Sequence, residues 1–123
     1  MPLDAHFPEP AQIDAYGNGG FRFADMSHRG SILILPTGVH GWDVGSVEEL
    51  TVERLSEPLV QKDAMEFLIV GTGTDAHPLF QLKRQMRERG LRIEPMTTGA
   101  AARTFNVLLG EERKVGAALI AVD

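Results

Sequence analysis

From residue 65 onward the chain alternates between runs that read as buried strands and runs with helical spacing, and this alternation restricts the fold more than any other feature. "MEFLIVG" (65–71) is an apolar run of the kind found in strands covered on both faces. "PLFQLKRQMRERG" (78–90) sets Leu79, Leu82 and Met86 on one helical stripe, with Gly90 placed to stop it. "LRIEPM" (91–96) reads as the next strand, 98–109 as a second helix, and "KVGAALIAV" (114–122) as a closing strand. A β-α-β-α-β order requires an α/β layer structure with an inner parallel portion. The strands near 67–70, 91–95 and 115–122 are therefore predicted to be neighbours in one sheet, with helices 78–89 and 98–109 packed on it.

The first half reads as strands. A short strand is expected near Ile13 to Tyr16, before the turn "GNGG". "FRF" (21–23) alternates, "SHRG" (27–30) is read as a turn, and "SILIL" (31–35) as a buried strand, which together predict a hairpin. "VHGWDV" (39–44) is a further strand, with Val39, Gly41 and Asp43 on one side and His40, Trp42 and Val44 on the other. Trp42 is assigned to the core or to a pocket wall. "VEELTVERLSEPLV" has a mostly helical spacing limited by Pro58, so one short helix ending near Ser56 is expected. The fold class is α/β: a single three-layer domain with a mixed, partly parallel sheet plus a small antiparallel β addition from the N-terminal half. Residues 1–12 are expected to be a loose arm and 13–123 the domain.

Composition narrows the function classes. A net charge of −5 argues against a nucleic-acid binder, which needs a basic surface. No apolar stretch approaches a bilayer-spanning length. The absence of cysteine removes thiol catalysis, disulfides and thiolate metal sites, and is compatible with a reducing compartment. The N-terminal residues resemble neither a secretory signal nor a transit peptide, and a cytoplasmic location is expected.

Candidate chemistry gathers at two loops. "GTGTDA" (71–76) satisfies the G-x-G-x-x-[GA] pattern after a strand and before a helix, and Glu94 falls near the place of a ribose-binding acid. A dinucleotide fingerprint, a structural tight turn and a pocket for another small ligand are all compatible with it. At "MTTGAAARTFNVLL" (96–109), Thr97 or Thr98 suits an N-cap, and Gly99 with the alanines allows close backbone approach. A free helix start of this kind is suited to an anion. Arg103 and Asn106 lie side by side beyond the apolar arc of that helix, and Arg103 is expected to make a buried contact, functional or structural. His6, His28, His40 and His77 are scattered, and no nucleophile elbow or Walker lysine is present, so neither metal nor cofactor is expected. Lys83, Arg84, Arg87 and Arg89 make one basic helix face, read either as solvated or as a docking patch for an acidic partner.

"FLIVGTGTDAHPL", followed by "LRIEPMTTGAAARTFNVLLGEERKVGAALI", resembles the Mth-domain family of small α/β proteins of unknown function, and the likeness extends from Phe21 to Ile120 through "ILILPTGVHGWDV". Eukaryotic members of that family include a mitochondrial assembly factor of respiratory complex I and an adipogenesis-associated protein. The resemblance implies a single three-layer domain with a mixed sheet. It also implies a non-enzymatic accessory or assembly-factor-like protein that binds another protein, with complex I assembly as the most specific form. The alternative is a small anionic-ligand or nucleotide binder or enzyme using the Gly71–Gly73 loop and the helix start at Thr97–Gly99. Candidate ligand- or partner-binding residues are Trp42, Gly71, Thr72, Gly73, Thr98, Gly99, Arg103 and Asn106, with no catalytic or metal-binding residue assigned.

Overall fold

Every residue of the runs 31–35 and 68–71 is buried, as strands lying between two layers must be. The computed structural model describes residues 5–123, with side chains from Phe7 onward. In chain order the strands are β1 (Ala5–Phe7), β2 (Ala15–Gly17), β3 (Gly20–Phe23), β4 (Met26–Arg29), β5 (Ser31–Leu35), β6 (Gly38–Trp42), β7 (Leu68–Gly71), β8 (Ile93–Met96) and β9 (Gly116–Leu119). The helices are α1 (Ser56–Val60), α2 (Phe80–Glu88) and α3 (Thr98–Gly110).

The main sheet runs β1-β6-β5-β9-β7-β8, and β2-β3-β4 form a separate antiparallel sheet. Strands β9, β7 and β8 are parallel neighbours, as the alternation predicts, while β5 joins β9 antiparallel and makes the sheet mixed. Pro95, which cannot donate to a ladder, sits on the edge strand β8.

Period-two alternation sends each strand's side chains into two cores. Ile32, Ile34, Ile69, Ala117 and Leu119 meet Phe21, Phe23 and the Ala101, Ala102, Phe105 face of α3. Leu33, Leu35, Leu68, Val70 and Ala118 meet Trp42, Leu55 and the Leu82, Met86 face of α2. The layers are therefore α3 with the small sheet, the main sheet, and α2 with α1 and the 3-10 turns.

Four local expectations are corrected. "SHRG" is not a turn: its first three residues lie in β4, and the chain reverses at Ala24 and Asp25, whose φ angles of +48° and +63° suit a two-residue hairpin loop. "FRF" consequently pairs with β2 and β4, not with "SILIL", whose hairpin partner is β6. The short helix begins at Ser56 and does not end there, because Pro58 fits a first helical turn, where no backbone donor is needed; the preceding segment forms 3-10 turns at Val47–Glu49 and Glu53–Leu55. The arm is not loose at residues 5–7, where β1 adds antiparallel to β6; residues 1–4 lie outside the described residues.

Helix α2 starts two residues later than its pattern suggests, since Leu79 is left-handed at φ +53°. It stops where Gly90 predicts. Gly90 takes φ +96°, its amide donates to Arg87 O, and the Leu91 amide donates to Met86 O, a Schellman closure.

Candidate functional site

The glycine loop and the start of α3 come together as the sequence suggests, and they close on each other. Strand β7 ends at Gly71, where an added Cβ would stand 3.0 Å from the Thr98 backbone and from Thr98 Oγ1. Only glycine permits that approach. The Gly73 amide donates to Thr98 Oγ1 at 3.0 Å, Gly73 O accepts from the Thr98 amide at 2.9 Å, and the Thr98 hydroxyl donates to Ile120 O at 2.7 Å. Thr98 is fully buried, and its one hydroxyl both accepts and donates, so three chain segments meet on it. Thr72 is buried beside it, its amide bonded to Met96 O and its hydroxyl to Asp75 O at 2.7 Å.

The helix start is likewise committed to the fold. Thr97 is the N-cap, accepting from the Ala100 amide, while the Ala101 amide donates to Thr97 O. Tyr16 of β2 covers the first turn: a Cβ on Gly99 would lie 2.6 Å from its hydroxyl oxygen. An open anion seat requires unpaired, accessible amides. The Thr98, Ala100 and Ala101 amides are already paired.

Arg103 and Asn106 do lie side by side, but their partner is the chain's own N-terminal segment. Asn106 Oδ1 accepts from the Ile13 amide and its Nδ2 donates to Ile13 O, both at 2.8 Å. Arg103 is exposed, and its Nη1 donates to the Tyr16 hydroxyl at 3.3 Å. The buried contact expected of Arg103 does not form, because the apolar arc of α3 turns it to the surface. Trp42 joins neither loop: it is buried in the core on the α2 side, and its indole N–H donates to Arg54 O at 2.9 Å.

The dinucleotide reading fails on geometry. Helix α2 begins seven residues after Gly73, behind the left-handed Leu79, so it does not open directly from the glycine loop as the fingerprint requires. Glu94 is paired with Arg92, the residue before its strand, at 3.2 Å. The cleft at the carboxyl ends of β7 and β9 measures about 370 Å³ and is lined by Glu48, Asp75, Asp123 and His77, without lysine or arginine. Three carboxylates repel an anion. Among the described residues no three His, Asp or Glu side chains converge on a metal-sized site.

Spacing along the chain gives no warning that Asn106 will bind Ile13, 93 residues away. It also passes over Phe80, which falls outside the Leu79, Leu82, Met86 stripe and is 76% exposed. Its place on the polar side of the helical wheel is the signal available for it.

Residues 13–120 match the family described as "Protein of unknown function (DUF498/DUF598)". The chain belongs to this family. A crystal structure described as an outer membrane protein from Bartonella henselae shares 50% identity, covers 96% of this chain and 100% of its own, and superposes with a TM-score of 0.89. A Bordetella pertussis protein described as a Mth938-like domain is 28% identical over 90% of this chain and 85% of its own, with a TM-score of 0.76. These DUF498/DUF598 relatives carry the Mth-type fold that the sequence resembles. A mouse protein named NADH dehydrogenase [ubiquinone] 1 alpha subcomplex assembly factor 3 is 37% identical over 119 residues, or 96% of this chain. The chain spans 64% of that protein's length. Among the described residues no helix is long and apolar enough to cross a membrane.

Proposed function

We propose that this chain is a non-enzymatic, assembly-factor-like accessory protein that acts in the cytoplasm by binding another protein. The observation that carries this reading is the 37% identity, across 96% of the chain, to a protein named as an assembly factor of NADH dehydrogenase. In its most specific form, the partner is a component of respiratory complex I on its way to assembly. The geometry supports binding over chemistry. Gly73, Thr98 and Asn106 are occupied with bonds inside the fold, and the cleft beside Gly73 repels the anionic ligands that the alternative requires.

Cross-linking in native lysate followed by affinity capture tests the proposal, paired with a thermal-shift screen of nucleotides and anionic metabolites. The expected result is a defined protein partner in near-stoichiometric yield and no dose-dependent rise in melting temperature. A saturable rise with a nucleotide, together with no captured protein, would replace this reading with a ligand-binding one.

A further inference from the structure

We infer that the outer face of α2 is the docking surface for an acidic, apolar-anchored segment of the partner protein, an inference that rests on the protein-binding reading above. Residues 83–92 carry five of the chain's twelve lysines and arginines and one of its seventeen acids. A chain of net charge −5 thus gathers a cluster of positive charge on α2 and the residues that follow it. Arg92 is paired with Glu94, whereas Lys83, Arg84, Arg87 and Arg89 have no ion-pair partner among the described residues.

Phe80, Lys83, Arg84 and Arg87 stand at i, i+3, i+4 and i+7, opposite the buried Leu82 and Met86, so an exposed aromatic ring begins a stripe of cations. Phe80 is 76% exposed at the rim of a groove of about 590 Å³ between α2 and residues 50–53. Leu50 and Val52 line that groove while packing on the core beneath, which gives it an apolar floor. On the other flank, Lys83 and Arg87 line a smaller cleft of about 170 Å³ with Arg92 and Glu94.

An aromatic anchor beside guanidinium groups is a combination enriched at the energetic centres of protein interfaces. Carboxylates of a partner segment meet the arginine forks, which bind them bidentately, while its apolar side chain packs on Phe80 and into the groove. A polyanion such as nucleic acid fits less well, because the other residues of the chain are strongly acidic and Glu53 lies in the lining of the groove next to Phe80.

The test uses the full chain and synthetic twelve-residue peptides that alternate Glu or Asp with Leu or Phe, alongside Lys-for-Glu versions of the same peptides. Binding is followed by amide chemical shifts at several salt concentrations. The expected result is saturable binding of the acidic set alone, with shifts centred on residues 50–53 and 80–89. Affinity should fall at least tenfold in Phe80→Ser and in the Arg84→Glu, Arg87→Glu double variant, and should weaken as salt rises. These side chains are exposed, so both variants should keep the wild-type melting temperature. Equal binding of the lysine peptides, shifts elsewhere on the molecule, or unchanged affinity in both variants overturns the inference. Binding to phosphatidylserine vesicles or duplex RNA without binding to the peptides overturns it as well. Capture of the same cross-linked partner by wild type and double variant would sink the α2 surface while leaving the protein-binding proposal standing.

Discussion

Thr98 and Arg103 are separated by little more than one turn of the same helix, yet burial gives them opposite weight. The Thr98 hydroxyl accepts from the Gly73 amide and donates to Ile120 O, and the Thr98 side chain is fully buried. Replacing it by valine keeps the shape and leaves both groups unmade, at a cost of about 1–3 kcal/mol for an unsatisfied buried group. Thr98→Val is therefore expected to unfold at lower denaturant concentration than wild type, whereas Thr98→Ser, which retains the hydroxyl, should recover most of the difference. An equal midpoint for Val and wild type would show that the junction is not held by this hydroxyl. Arg103 is exposed and, among the described residues, its hydrogen bond is to an exposed tyrosine hydroxyl, so Arg103→Lys should change stability by less than about 0.5 kcal/mol, the range for surface substitutions. A large loss of melting temperature in that variant would mean that the arginine satisfies something the fold does not display.

Elements are tied to one another by a few contacts between their ends. The residues leading into β7 and β9 are joined by Glu66 and Arg113, whose guanidinium donates from both Nε and Nη2, the shortest bond being 2.6 Å. The hydrogen bonds from Arg113 hold the Glu66 carboxyl below the usual glutamate range, and the same contact raises Arg113. A folded-state pKa below the unfolded value of about 4.3 means that the contribution is present above that pH and fades as pH falls through the folded value. Carboxyl carbon shifts should show Glu66 titrating below the ordinary glutamate range, and Arg113→Gln should raise it back toward that range. A normal Glu66 titration in wild type would show that the pair is open in solution; at this exposure, salt should also weaken it.

Across the whole molecule, stability should follow the layering. Strands β7 and β9 have neighbours on both edges and a packed layer on both faces, so their amides should exchange only through global opening. The 3-10 turns between residues 47 and 55 should exchange far sooner, and comparable protection in the two regions would contradict this layered picture. That inner pair was legible in the sequence because continuous apolar runs, an amphipathic stripe and a stop glycine are properties of consecutive residues, and so was the three-layer class they imply. Strand order was only partly legible. The chain says that residues 31–35 are buried but not that β9 will lie beside them, nor that "FRF" will leave for another sheet. The partners of the candidate site residues were not legible, for the same reason. Gly73, Thr98, Arg103 and Asn106 have the chemistry of a ligand site when read locally, and tertiary structure supplied partners from Ile120, Tyr16 and Ile13. Local pattern fixes which groups must be buried and with what period. Which distant group satisfies each one depends on the packing of the whole sheet, and only the folded chain decides that.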